Sequence, residues 1–385
     1  MDVSRRRLRR VGVDIRVGVD INEPEVLDPP NMNLESLTSQ LRAVTEADDE
    51  QNWPGEGVGV LSEAGCFKHI VPRQFGGEGA EPAAQLAAYE AIASESVTLA
   101  LILTQHDAAA EVLGAAAAES VAAEILRKCV SGEELLTVGI SQVTTSRRHG
   151  RAAMRARRDG EGFVLDGVMP WVTSARRADH IVTAAVLDDG QQILACVPTD
   201  AQGVSILEPM RLLALQSSWT SEVRCEAVQA PRSWVLRGPM ESVLARRAPV
   251  KGLTVSSVGI GMASALLREV SELAGQLAGA DTLLRETMEP RYQAARRKLL
   301  DAANSLHDPA SESPAVAIRA EVNAIVNRLA ATLMTLAKGT GFLSTRPTQR
   351  LLRESAFFLV WSAAPPVQLE TLHRIWDAPA NSNGL

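Results

Sequence analysis

Aromatic side chains are scarce in this sequence: six Trp, six Phe and two Tyr make up 4% of 385 residues. Alanine is abundant instead, and an Ala-rich, aromatic-poor chain favours close-packed helices over sheets. Cysteine is scarcer still. Cys66, Cys129, Cys196 and Cys225 form no CxxC pair. Cys66 and His69 are three apart, but no second ligand pair accompanies them, so no metal site is expected. The expectation is four reduced, mostly buried thiols in a cytoplasmic protein. No apolar run reaches the ~18 residues that a membrane span needs. A basic stripe is also lacking. The net charge is −7, which argues against a nucleic-acid binder. The basic start, MDVSRRRLRR, is followed by Asp14, Arg16 and Asp20, which interrupt any signal-peptide core. Residues 1–30, ending in Glu-Val-Leu-Asp-Pro-Pro, are expected to be a flexible extension.

What is present suits an enzyme. Apolar residues make up 46% and charged residues 22% of the chain, and 385 residues suggest two or three domains. From Leu34 to Cys129 the pattern is helical, and Pro82–Leu113 repeats its apolar residues at three- and four-residue spacing. The loop PRQFGGEGAEP at 72–82 breaks it. From about residue 136 the pattern turns β-rich: Leu136–Ile140, Gly162–Leu165, His180–Val186, Ile193–Val197 and Glu222–Val228, with turns at Asp159-Gly160 and Asp189-Gly190. From Leu236 it reads as helical again, over Val250–Leu277, Met288–Asn304, Pro314–Lys338 and Gln349–Trp361. The order is α, β, α, with boundaries expected at 31–135, 136–235 and 236–385.

Four segments in this order resemble the acyl-CoA dehydrogenase superfamily, over about residues 35 to 375. The first is VPRQFGGEGAE at 71–81, similar to a glycine-rich loop of the family's N-terminal domain. The second is LTVGISQVTTS at 136–146, where the family has a flavin-contacting strand and loop; Ser141-Gln142 stands in place of Thr-Glu, and the loop's glycine is missing. The third and strongest is GFVLDGVMPWVTSARRADHIVTAA at 162–185. The fourth is GTGFLSTRPTQRLLRES at 339–355, similar to a glycine-rich turn and the Arg-x-x-Arg-acid helix that follows it.

The resemblance implies an α+β fold: an N-terminal helical domain, a small β-barrel or sandwich, and a C-terminal four-helix bundle. It implies FAD as cofactor. Ile140, Ser141, Ser146, Trp171, Val172, Thr173, Gly339 and Gly341 are the implied cofactor-binding residues, with Ser174 adding backbone. Trp171 would cover the flavin and the Thr173 hydroxyl would hydrogen-bond it. Glycines 339 and 341 would permit close approach and the positive dihedral angles of their turn. The resemblance also implies a homotetramer or homodimer, since family members bind FAD across a subunit interface. A heteromer with a paralogue is the alternative.

The chemistry departs from the family. An acyl-thioester dehydrogenase removes an α-proton with a carboxylate while the flavin accepts a hydride, and the base must lie within hydrogen-bond reach. Counting from Arg353-Glu354, Ser362 takes the place of the usual Glu. The alternative location, on the first helix of the C-terminal domain, aligns near Pro249. The family's Arg for a neighbour's FAD aligns near Gln276–Gly279 and is also missing. Glu354, Glu269, Glu272 and above all Glu370 are the other acids to weigh, each also readable as a solvated helix charge. His106 and Trp361 are candidates for the substrate pocket, His106 being readable also as a core histidine. Three functions stay open: α,β-dehydrogenation of an acyl thioester with a displaced base, flavin-dependent monooxygenation or oxidation, and a non-catalytic subunit of a heteromeric acyl-CoA dehydrogenase.

Overall fold

A computed structural model describes residues 32–45, 51–116, 121–143, 154–244, 252–306, 314–344 and 346–376. The extension expected over 1–30 lies outside them, as do Ser146 and Pro249. Five helices come first: α1 (Leu34–Thr45), α2 (Gly55–Glu63), α3 (Pro82–Ala93), α4 (Val97–Ala116) and α5 (Val121–Ser131). The continuous pattern over 82–113 is split at Ser94–Ser96. There Ser96 Oγ accepts the Leu99 N–H and starts a new helix, while the buried Glu95 carboxylate pairs with Arg42 at 2.7 Å and Arg268 at 3.2 Å. In the 72–82 loop, Gly76 and Gly79 take φ of +91° and +60°, and a side chain at Gly77 would collide with the Val71 carbonyl.

Among the described residues the eight strands are β1 (Leu136–Gly139), β2 (Arg155–Asp159), β3 (Gly162–Val172), β4 (His180–Val186), β5 (Gln192–Pro198), β6 (Val204–Ile206), β7 (Ser221–Ala230) and β8 (Val235–Met240). They form one sheet in the order β6-β7-β3-β2-β4-β5-β8, with β1 parallel to β4. Period-two alternation sets its two faces. Val182 and Ala184 of β4 and Leu194 and Cys196 of β5 face a core shared with α4 and α5. Ile181, Ala185, Ile193 and Ala195 face a second core with β3 and β7, so the sheet wraps that core. The charged β2 (Arg-Ala-Arg-Arg-Asp) buries only Ala156, which left it without a periodic signal.

The helical reading from Leu236 is corrected: Gly238, at φ +94°, and Pro239 lie in β8. The helices resume with α6 (Thr254–Ala274), followed by α7 (Ala280–Leu283), α8 (Glu289–Asn304), α9 (Ala315–Ala337), α10 (Pro347–Val360) and α11 (Pro365–Ile375). The helices before and after the sheet share one apolar core. Gly261 of α6 makes this possible: an added Cβ would stand 2.3 Å from the Glu90 carbonyl oxygen of α3. All four cysteines are free and buried, and no described helix is long and apolar enough to cross a membrane.

Candidate functional site

The strongest motif of the sequence ends β3, where the strand is irregular. Met169 pairs with Val223 and Val172 with Ser221, so Pro170 and Trp171 together oppose one residue, Glu222. A bulge of this kind re-aims a side chain. Met169 and Val172 stay fully buried while Trp171 is 50% exposed, an unusual position for so large an apolar surface.

Buried hydroxyls converge beside it. Thr137 of β1 donates to the Thr173 carbonyl at 2.7 Å. Thr220 donates to the Thr173 hydroxyl at 3.4 Å and lies 2.9 Å from the Ser218 hydroxyl. Because Thr173 Oγ1 accepts there, its own proton remains available to donate. The Ser174 N–H, expected to serve the cofactor, donates instead to the Ser218 carbonyl at 2.9 Å. At the end of β1, Thr183 and Gln142 both donate to the Gly139 carbonyl. Gln142 Nε2 also reaches the Ala184 carbonyl. Its buried Oε1 has no partner among the described residues. Ile140 and Ser141 follow directly on β1 and are half-buried.

The loop 214–220 escaped the sequence reading, and it joins two of the motifs. Leu215 and Trp219 take positive φ of 59° and 47°, as does Ser174 at 59°, a concentration of backbone strain typical of functional sites. The Arg177 guanidinium lies 4.9 Å from the Trp219 ring centroid and 5.8 Å from that of Trp53. Trp219 Nε1 donates to the Gln51 carbonyl. The only sequence signal for this loop is its density of hydroxyls at 217, 218, 220 and 221. On its far side, Leu215, Gln216 and Ser217 line a narrow cleft with Thr98, Arg350, Arg353 and Glu354. The Arg-x-x-Arg-Glu motif thus meets the Thr173 hydroxyl group through loop 214–220.

The remaining candidates lie elsewhere. Gly339 and Gly341 sit in a 3-10 turn, Lys338–Phe342. The expectation that they supply positive dihedral angles is corrected: Lys338 carries the positive φ of 52°. Gly341 is needed for space, since an added Cβ would stand 2.6 Å from Met334 Sδ, whereas nothing lies within 4 Å of one at Gly339. Ser362 is exposed, at φ 48°, in the turn between α10 and α11. Trp361 stacks on Phe357 with 4.9 Å between centroids. Both precede a turn fixed by the buried Arg319, which donates to the Phe358 and Trp361 carbonyls; burial pushes its pKa down to about 9. Glu370 accepts from Arg374 at 3.0 Å. Among the described residues, Trp361, Ser362 and Glu370 make no hydrogen bond or ring contact with the Trp171 group.

His106 is fully buried, its Nδ1 accepting the Leu136 N–H at 3.2 Å and its ring meeting Phe67 edge-on. Burial pushes its pKa down to about 4, so it is neutral. Glu354 is buried in the cleft. Glu272 is exposed. Burial, with Glu272 nearby, raises the pKa of Glu269. Among the described residues no group of three or more His, Cys, Asp or Glu could hold a metal ion.

Comparison with known proteins agrees with this arrangement. Residues 36–133 match the acyl-CoA dehydrogenase N-terminal domain. A probable acyl-CoA dehydrogenase of Bacillus subtilis, YngJ, is 25% identical over 57% of this chain and 60% of its own length. (2S)-Methylsuccinyl-CoA dehydrogenase of Cereibacter sphaeroides is 29% identical over 40% of this chain and 27% of its own. The chain therefore spans less than two thirds of either relative. Solved structures match over more of the fold. Butyryl-CoA dehydrogenase from Megasphaera elsdenii superposes with a TM-score of 0.77 at 16% identity, covering 89% of this chain and 98% of its own. KijD3, in complex with FMN and a dTDP-amino sugar, gives 0.73 at 23%, covering 91% and 93%. Dibenzothiophene monooxygenase from Paenibacillus gives 0.73 at 15%, covering 90% and 94%. With a matching N-terminal helical domain, the helix–sheet–helix order and the same overall fold, this chain is similar to the acyl-CoA dehydrogenase superfamily.

Proposed function

We propose that the protein is a flavin-dependent monooxygenase, whose reaction does not begin with removal of an α-proton by a carboxylate at position 362. One observation carries this reading: an exposed serine holds that position, and the acid on the next helix, Glu370, is tied to Arg374. A serine at its ordinary pKa cannot act as that base unaided, whereas oxygen chemistry on a reduced flavin requires no such group.

The end of β3 fits a flat conjugated ring. Trp171 offers a half-exposed aromatic face for stacking. Thr173 has a hydroxyl proton to donate, and Gln142 Oε1 is a buried acceptor without a partner among the described residues. A bound flavin, FAD on this reading, would supply two-electron redox chemistry and, when reduced, the activation of O₂. The chain's own part is to hold the ring against Trp171 and to exclude water with the apolar core beneath Met169 and Val172. The fold likeness to a monooxygenase and to an FMN complex supports the reading. Exposed apolar side chains at Phe342, Val360, Leu369, Leu372 and Trp376 support assembly as an oligomer.

The likeness to acyl-CoA dehydrogenases favours a second reading, α,β-dehydrogenation of an acyl thioester, in which Glu370 would have to leave Arg374. The two readings separate by product. The protein, supplied in air with NADH, a flavin reductase and a panel of amines and thioethers, is expected to yield products heavier by one oxygen atom. Formation of enoyl thioesters from acyl-CoAs without oxygen would support the second reading instead.

A further inference from the structure

Three hydroxyls form a buried chain at the end of β3. Ser218 Oγ lies 2.9 Å from Thr220 Oγ1, which reaches Thr173 Oγ1 at 3.4 Å. Each hydroxyl has one proton to give, and the surroundings decide which way the protons run. Among the described residues the Ser218 hydroxyl has no acceptor besides Thr220. It is also fully buried, at 0% exposure, and a buried donor without an acceptor is costly. Ser218 therefore donates to Thr220. The Thr220 proton then has only Thr173 Oγ1 to go to. The chain ends at Thr173, which is 8% exposed and two residues on from the half-exposed Trp171. Its proton is directed outward.

The loop is built to hold this order. Trp219, between Ser218 and Thr220, takes a φ of 47°. Its Nε1 donates to the Gln51 carbonyl, and the Arg177 guanidinium lies 4.9 Å from its ring centroid. The Ser218 carbonyl accepts the Ser174 N–H at 2.9 Å, which ties the loop to the residue after Thr173. Backbone strain held in this way is characteristic of sites that need a fixed geometry.

We propose that Ser218 and Thr220 are positioning residues for the flavin ring, acting through Thr173 by committing its hydroxyl to donate. The proposal rests on the flavin reading above and adds a polarity to it: the ring edge at Thr173 must present an acceptor, not an N–H. A donor set in advance costs less to order on binding, and each hydroxyl of the chain polarises the next.

The test is a pair of double-mutant cycles, read by fluorescence titration of the apoprotein with FAD and by the visible absorption bands of the bound flavin. Ser218→Ala and Thr220→Val are each expected to weaken FAD binding by about three- to tenfold and to shift the bands in the same direction as Thr173→Val. Thr220→Ser keeps the chain and is expected to restore both. In a Thr173→Val background, Ser218→Ala and Thr220→Val are expected to change nothing further, because their effect passes through Thr173. Melts of the apoproteins check folding; if Thr220→Val does not fold, the Ser218→Ala cycle decides alone. Equal weakening with and without the Thr173 hydroxyl overturns the proposal, as does wild-type binding by Ser218→Ala. Wild type that binds no FAD overturns the flavin reading itself, and the proposal with it.

Discussion

Asp107→Asn is expected to flatten the pH dependence of this protein's stability. Asp107 lies on α4 at 2% exposure, with Oδ2 2.6 Å from the Tyr89 hydroxyl and Oδ1 without a partner among the described residues. No described cation pairs with it. Burial raises its pKa well above the usual carboxylate value; the Tyr89 hydrogen bond lowers it in part, and the Glu111 charge raises it further. The folded protein therefore keeps this proton to a higher pH than the unfolded chain, which releases it near about pH 3.9. Between those two values the folded state binds more protons. Stability is then fully present below the unfolded pKa and is lost as pH rises towards the folded one, by up to about 1.4 kcal/mol per pH unit.

Asparagine has the same shape and no charge to bury. It can keep a neutral hydrogen bond to Tyr89, worth about 1 kcal/mol. Variant and wild type should thus agree within about 1 kcal/mol near pH 4 and diverge as pH rises, with the variant the more stable near pH 8. Urea unfolding across that range measures the difference directly. A constant offset at every pH would refute the reasoning, because it would mean that Asp107 titrates alike in both states.

Trp171→Ala should lower flavin retention by at least about fivefold, the value of one lost stacking contact, with little change in melting temperature because the side chain is half exposed; flavin fluorescence and thermal melts of the apoprotein read the two effects separately. Gly261→Ala forces a Cβ against the Glu90 carbonyl and should cost about 1–3 kcal/mol in denaturant unfolding; wild-type stability would show that α3 and α6 can move apart freely. Glu95→Gln breaks pairs with Arg42 and Arg268 and should cost about 2 kcal/mol, less than a fully buried pair because both arginines are half exposed.

The sequence made the fold legible wherever one face of an element is buried. The alternation over His180–Val186 predicts β4 because it serves two cores, and the helical spacing over Pro314–Lys338 predicts α9 to within a residue at each end. Nothing of the kind marks β2, since a strand of four charges and one alanine carries no alternation. The α3–α4 break was hidden because Ser94–Ser96 interrupts the apolar pattern for only three residues, and the buried Glu95 pairs with arginines far away in sequence. α11 escaped because its start, Pro365-Pro366, reads as a breaker although proline is well suited to a first helical turn.

The candidate site was legible in parts. Trp171 and Thr173 could be named from a local motif. Ser218, Thr220, Arg177 and Trp53 could not, because their roles depend on pairings between residues about 40 to 168 apart. His106 shows the opposite limit. A histidine on an apolar helix looks reactive until the β1 backbone is seen to occupy its Nδ1.

The measurement that tests the central claim most directly is the anaerobic absorbance spectrum of the purified protein during titration with short-, medium- and long-chain acyl-CoAs. The account predicts an oxidised flavin spectrum that dithionite bleaches and no acyl-CoA does, because Ser362 cannot take the α-proton. Bleaching by an acyl-CoA would place a working base in the site and contradict the proposed chemistry. A colourless protein that takes up no added flavin would contradict the cofactor assignment built on Trp171.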